Sequence, residues 1–327
     1  MSSTTVATPL AAPRSGTEEE AASAASSAIH IASLSKRYGP VVAVRDLTMT
    51  VPRGGVFGFL GPNGAGKTTS VKMLLGLTPP TSGEAWVLGS PIGDKATRRR
   101  VGYLPELFRY QAWLSAAEVL GLHCELAGIP RMTRPAELDR VLNLIGLAGR
   151  ASDRVGGFSK GMQQRLGLGV ALLGRPDLVI LDEPTSALDP VGRRDVREII
   201  RHLKADGTAV FLNSHLLTEV EQVCDQVAIV NRGSVIATGT LADLLGVGGV
   251  RVRATGMEGA PRRVLEGFGA VREEDQGWLM VAGLEEARVP DLVGALVAAG
   301  ARVYAIEPRH QSLEERFMEL LGQQEVT

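Results

Sequence analysis

Aromatic residues are scarce in this chain: three Trp, four Tyr and seven Phe among 327 residues. Cysteine is scarcer, with only Cys124 and Cys224, far apart in sequence. Such a pair fits neither a disulfide framework nor a zinc-spaced cluster, and a reducing compartment is the simplest expectation. A charge excess is missing too. Lys+Arg total 35 against 36 for Asp+Glu. That excludes the basic footprint of a nucleic-acid binder and a broad basic face for acidic lipid. No apolar run approaches the ~18 residues of a membrane-spanning helix; stretches such as 166–174 and 292–299 are too short. Residues 1–28 lack the basic start and apolar centre of a signal peptide. Rich in Ser, Thr, Ala and Pro, with acids at Glu18, Glu19 and Glu20, they read as a disordered tail. What the chain does have is a 44% apolar share, ample for a packed core, and a length suggesting about two domains.

Order is expected from Ile29. Ile29 and Ile31, then Leu47, Met49 and Val51, alternate with mostly polar neighbours as half-buried strands do. The apolar run 56–60 suits a buried strand. A helix carrying Val71, Met73, Leu74 and Leu75 follows, then a strand over 84–88. Residues 107–157 read mainly as helices, for example 116–127 and 136–145. Strand and helix alternate again from Leu178: strands over 178–181, 209–213 and 227–231, helices over 191–205 and 217–223. This alternation implies an α/β domain over 29–245, with a largely parallel sheet interrupted by a helical insertion. The glycines around 246–249 mark a boundary. Beyond it the order β-α-β-β-α-β over 250–307 is the ferredoxin-like pattern, and a helix over 313–321 closes a second, α+β domain expected over 250–327. That second domain carries no chemistry legible in its residues.

Two segments carry chemistry. Gly61-Pro62-Asn63-Gly64-Ala65-Gly66-Lys67-Thr68 fits G-x-x-x-x-G-K-[ST] between a strand and a helix, the context that a phosphate-binding loop requires. Its glycines let backbone N–H groups turn toward phosphate oxygens, and the helix start adds partial positive charge. Lys67 is placed to reach β- and γ-phosphates, the Thr68 hydroxyl to bind Mg²⁺, and Thr69 continues the site. The second segment, 178–183, is four apolar residues ending in Asp182 and Glu183. A buried strand delivers Asp182 to a Mg²⁺ shell at the carboxyl end of the sheet, and Glu183 to a water that attacks phosphorus. Taken alone, such an acid pair is a solvated strand end.

Further segments, in order, resemble the ATP-binding subunits of ABC transporters. Phe158-Ser159-Lys160-Gly161-Met162 resembles the LSGGQ signature, with Lys160 and Met162 as departures. Ser186-Ala187-Leu188-Asp189 resembles the D-loop, His215 the switch histidine, and Tyr38 the aromatic that stacks on adenine. Glu106 stands where the family usually has the Q-loop glutamine. The resemblance spans about 29–245 and implies ATP and Mg²⁺ as cofactors, with Lys67, Glu106, Glu183 and His215 in catalysis and Thr68, Asp182 and Glu106 around the metal. It also implies head-to-tail pairing with a second ATPase subunit, a homodimer being the simplest case, so that Ser159 and Gly161 act on the ATP of the opposite subunit. A separate transmembrane permease at the cytoplasmic face of the cell membrane, and no span in this chain, follow from the same resemblance. The segment 158–162 with Gln164-Arg165-Leu166-Gly167-Leu168 after it, and Ser312-Leu313-Glu314-Glu315-Arg316-Phe317 near the end, resemble ATPases of ABC-2 type exporters. A non-transport ABC ATPase of translation or DNA repair is the alternative, though this chain has a single motif set and no sustained heptads.

Read singly, each of these pieces has a plain structural explanation: Ser159 as a helix cap, His215 as a structural histidine, Tyr38 as a packed turn residue. Four of the few aromatics, Tyr103, Phe108, Tyr110 and Trp113, fall together at the start of the helical insertion. They are either a local core or an interface core, and the resemblance places the permease's coupling helix here. The run Arg98-Arg99-Arg100 reads as a solvated face.

Overall fold

A computed structural model describes residues 23–186, 188–245, 248–309 and 312–325. In chain order its strands are β1 (Ser27–Tyr38), β2 (Val41–Pro52), β3 (Val56–Leu60), β4 (Ser82–Val87), β5 (Ser90–Pro91), β6 (Val101–Leu104), β7 (Leu178–Asp182), β8 (Ala209–Asn213), β9 (Gln226–Asn231), β10 (Ser234–Thr240), β11 (Gly249–Thr255), β12 (Ala270–Glu274), β13 (Trp278–Ala282) and β14 (Arg302–Arg309). The helices are α1 (Lys67–Leu74), α2 (Lys95–Arg98), α3 (Ala116–Leu126), α4 (Arg134–Leu144), α5 (Lys160–Ala171), α6 (Pro190–Ala205), α7 (Leu217–Val223), α8 (Leu241–Leu245), α9 (Ala260–Glu266), α10 (Val289–Ala298) and α11 (Leu313–Glu325).

The central sheet has the order β10-β9-β3-β8-β7-β6. Its pairs are parallel except β9 with β10. Both faces are buried, so β3, β7 and β8 are apolar at nearly every position. Their side chains alternate between two cores. Leu60, Val179, Leu181, Val210 and Leu212 face one, which the helical insertion and α6 complete. Phe57, Phe59, Leu178, Ile180 and Phe211 face the other, closed by α1 and a separate antiparallel sheet of order β2-β1-β4-β5. That second sheet is not legible as a unit in the sequence. Its strands β1 and β4 lie 43 or more residues apart and pair antiparallel, Ile29 opposite Val87.

Order starts earlier than the expected tail over 1–28 allows. Residues 23–26 form a helical turn, β1 begins at Ser27, and Ala24, Ser27 and Ala28 are buried. Ser27 pairs with Pro52 and Ala28 accepts from the Leu88 N–H, so the place of β1 between β2 and β4, not composition, orders its start. The expectation for residues 1–22 lies outside the described residues. The short strand β6, and the β10–α8 unit, carry no clear periodicity and were not anticipated either.

Strands β12-β13-β11-β14 form a third, wholly antiparallel sheet, with α9 and α10 over its own core of Val250, Val252, Leu265, Leu292 and Leu296. This is the β-α-β-β-α-β order. Helix α11 does not join that core. Leu313 is fully buried in the first core, with Phe317 and Leu320 packed beside it, and its backbone N–H donates to the Glu221 carboxylate on α7.

Candidate active site

Strand β3 ends at Leu60 in the centre of the sheet and the chain turns through Gly61 to Gly66 into α1. Glycine is required here twice over. Gly66 has φ 99, and a Cβ on it would lie 2.3 Å from the Ala43 carbonyl oxygen; one on Gly61 would lie 2.3 Å from that of Val230. Only a residue without a side chain fits both the left-handed backbone and the close approach. Asn63 and Gly64 are exposed at the crest of the loop, Ala65 is buried beneath it, and Pro62 is half-buried. Lys67 is buried and folds back over the loop, donating from Nζ to the carbonyls of Gly61 at 2.7 Å and Pro62 at 3.3 Å. Thr68 is exposed and Thr69 half-buried on the first turn of α1.

Two strands away, β7 ends in Asp182, and Glu183 follows it directly. Asp182 accepts a hydrogen bond from Asn213 Nδ2 at 2.5 Å. Glu183 has φ 53, uncommon for a residue with a side chain and characteristic of sites where the backbone is held under strain. Its N–H is pinned by the Asn213 carbonyl at 2.8 Å. Its Oε2 lies 2.7 Å from His215 Nδ1. An ionised carboxylate only accepts, so Nδ1 carries the proton in that pair. Glu106 is exposed just beyond β6, the strand beside β7, and its charge acts on both Lys67 and Asp182. Burial holds Lys67 below the usual lysine range, although Glu183, Asp182 and Glu106 all favour its charged form. Burial likewise pushes Asp182 above the usual aspartate range, against the opposing Asn213 hydrogen bond.

The fold therefore gathers Gly61 to Thr69, Glu106, Asp182, Glu183 and His215 at the carboxyl end of one sheet, where ligands bind in such folds. Three expected residues share no described hydrogen bond with this group. Ser159 caps α5, its Oγ accepting from Met162 N at 3.2 Å, Gly161 is in the first turn of that helix, and neither shares a described hydrogen bond with the loop. Tyr38 ends β1 and is 48% exposed, so it is not the packed turn residue that its neighbours Gly39 and Pro40 suggest; the Lys36 ammonium lies 5.0 Å from its ring centroid. Asp189 caps α6 by accepting from Gly192 N at 2.7 Å, and Ala187 lies outside the described residues. The aromatic group divides. Phe108 and Tyr110 touch at 5.4 Å between centroids and pack on the first core, Tyr103 packs on the second, and Trp113 is 70% exposed. Arg98, Arg99 and Arg100 are all exposed, and both cysteines are free and buried.

Asn213 is the site residue that sequence reasoning missed. A polar residue closing an otherwise apolar strand, two positions before His215, was the available signal. No cluster of three or more His, Cys, Asp or Glu able to hold a metal by itself occurs among the described residues. Thr68 on the first turn of α1, with Asp182 and Glu106 at the ends of neighbouring strands of the same sheet, offers hard oxygen donors of the kind that hold Mg²⁺ jointly with substrate phosphates.

A glycine loop with an inturned lysine, facing an Asp–Glu pair across the same sheet edge, defines a P-loop nucleoside triphosphatase. The family model described as ABC transporter matches residues 44–186. Among curated proteins the chain is 40% identical over 291 residues to an ABC transporter ATP-binding protein of Synechocystis sp., covering 88% of this chain and 80% of that protein. It is 41% identical over 214 residues to the bacitracin transport ATP-binding protein BcrA of Bacillus licheniformis, covering 64% and 69%. A solved structure of the ATP-binding subunit of an ABC transporter superposes with TM-score 0.60 at 33% identity, covering 66% of this chain and 91% of that one. This chain belongs to the ATP-binding proteins of ABC transporters, a family of ATPases. No described helix is long and apolar enough to cross a membrane.

Proposed function

We propose that this protein is the ATP-hydrolysing subunit of an ABC exporter, working from the cytoplasmic face of a membrane through a separate transmembrane permease. The observation that carries the catalytic part is the Glu183–His215 contact of 2.7 Å beside Asp182. Loop N–H groups and Lys67 bind the phosphates of ATP, which draws Lys67 away from the Gly61 and Pro62 carbonyls it now contacts. Thr68 and Asp182, with Glu106 nearby, hold Mg²⁺, which supplies charge neutralisation at the phosphates. Glu183 orients the attacking water and accepts its proton, and His215 keeps the Glu183 carboxylate in place. Tyr38, exposed at the end of β1, offers its ring to adenine. Ser159 and Gly161, at the start of a helix that shares no described hydrogen bond with their own loop, bind the γ-phosphate of a second subunit's ATP. Two copies of the chain thus close around two nucleotides and reopen on hydrolysis.

Trp113, exposed next to the packed pair Phe108–Tyr110, is the anchor for the permease, since aromatic residues are enriched at the cores of interfaces. The export direction rests on the signature segment and the extension beyond residue 245. The bacitracin transport relative supports a transport role. The test is Glu183→Gln. It should keep ATP binding and lower turnover at least ~100-fold, the scale of losing a general base. Turnover near the wild-type rate in a folded variant overturns the assignment.

A further inference from the structure

Strand β8 lies between the loop strand and the carboxylate strand. Its last residue, Asn213, is opposite Phe59 on β3 and opposite Asp182 on β7. The four residues before it, Ala209 to Leu212, are buried and apolar. Asn213 is itself 1% exposed, where a branched aliphatic side chain would continue the pattern of the strand. Its amide nitrogen donates to Asp182 Oδ1 at 2.5 Å. Its amide oxygen is buried and has no hydrogen-bond partner among the described residues. The two facts are linked. A carboxylate only accepts, so the nitrogen must face Asp182 and the oxygen is turned into a place that offers it no donor. An unpartnered buried oxygen is unfavourable and uncommon in folded proteins. What offsets it here is a charge-assisted bond to an ionised group.

The bond holds one oxygen of Asp182 and leaves the other, Oδ2, without a partner among the described residues. The same residue's carbonyl fixes the Glu183 N–H, so one side chain and one backbone group of Asn213 set both acids. We infer that Asn213 is a positioning residue for Mg²⁺ binding: it orients Asp182 so that the free oxygen is presented to the metal that accompanies ATP. This rests on the reading of Asp182 as a metal-side residue.

Threonine and valine at position 213 have the same shape, and only threonine keeps a donor. Binding of a fluorescent ATP analogue is measured with Mg²⁺ and with EDTA, in the full chain, for Asn213→Val, Asn213→Thr and Asp182→Asn. Thermal melting checks that each is folded. Wild type and Asn213→Thr should both bind the analogue more tightly with Mg²⁺. Asn213→Val should lose about 10-fold or more of that Mg²⁺-dependent gain, as outer partners of metal ligands commonly do, with its affinity in EDTA unchanged. If Val keeps the gain, or if Val and Thr lose it equally, the inference is overturned. If Asp182→Asn also keeps the full gain, the metal-side reading of Asp182 falls with it. If Asp182→Asn loses it while Asn213→Val does not, that reading stands and the Asn213 inference alone fails.

Discussion

At the scale of single residues, the site is built from groups that the fold holds in unfavourable states. Lys67 is buried and its charged form is resisted by desolvation; Asp182 is buried and resisted in the same way; Glu183 has a left-handed backbone. Each of these costs stability in the nucleotide-free protein, and the sign can be worked out for Asp182. Its folded pKa lies above the ordinary value, so the folded state binds more protons than the unfolded chain through that window. Stability then falls as pH rises from the ordinary aspartate range through the folded value. At neutral pH Asp182 is a burden on the fold. Asp182→Asn should therefore melt at a higher temperature than wild type at pH 7 without nucleotide, while losing ATP turnover. The difference should shrink as pH falls toward the ordinary aspartate range. Calorimetry across pH measures it, and a lower melting temperature for the variant at pH 7 contradicts the account. Active sites are where such exchanges of stability for function are expected.

At the scale of elements, the notable connection is between α7, which follows His215, and the rest of the molecule. Arg197 on α6 holds Glu219 on α7 with two hydrogen bonds, at 2.8 and 3.0 Å, in a nearly buried pair. Helix α11 also contacts α7 and α8, and Leu313 is buried in the same core as Val220, Val223 and Leu244. The last helix of the chain thus helps to fix a helix of the catalytic half. Leu313→Ala should destabilise the protein by about 2–5 kcal/mol, the usual cost of deleting a buried leucine side chain. Denaturant unfolding reads this directly. A loss below about 0.5 kcal/mol, the scale of a surface substitution, shows that α11 is not docked as described. The helices and strands themselves were legible where local pattern was strong: 56–60 and 209–213 were anticipated to the residue. They were not legible where pairing does the work. Strand β6 has four residues and becomes a strand only by lying beside β7.

At the scale of the whole molecule, the proposed pairing of subunits makes a prediction about which segments work together. The loop, the acids and His215 are gathered at the sheet edge, while Ser159 and Gly161 start α5 without a described bond to them. If each signature serves the opposite subunit, the defects of Lys67→Ala and Ser159→Arg should complement. Each variant alone should be inactive, the first for want of phosphate binding and the second because an arginine side chain obstructs the signature. In the mixed dimer one site combines the two damaged segments and the other combines the two intact ones. Steady-state ATPase assays on mixtures should recover partial activity, up to about half the wild-type rate in the mixed dimers themselves if the sites turn over independently. Full hydrolysis by Ser159→Arg alone, or no recovery on mixing, would sink the shared-site arrangement.

The sequence by itself determined the chemistry and the class. The loop from Gly61 to Thr68, the strand ending in Asp182 and Glu183, and His215 are local strings, because each needs a fixed order of neighbours: glycines where the backbone must turn, a lysine and threonine one step on, acids directly after four buried residues. The β-α-β-β-α-β order beyond residue 249 was readable for the same reason, since alternation and period are local properties. Only the tertiary structure decided what is set by neighbours remote in sequence. Asn213 looks like the polar end of a strand until β8 is placed between β3 and β7, 31 residues from the aspartate it holds. Leu313 looks like part of the C-terminal unit until α11 crosses back to bury it against α7. Ser27 and Ala28 look like tail until β1 pairs with its neighbours in the sheet. In each case the deciding contact spans a long stretch of chain, and no local periodicity encodes it, because the side chain's partner is supplied by packing and not by the residues beside it.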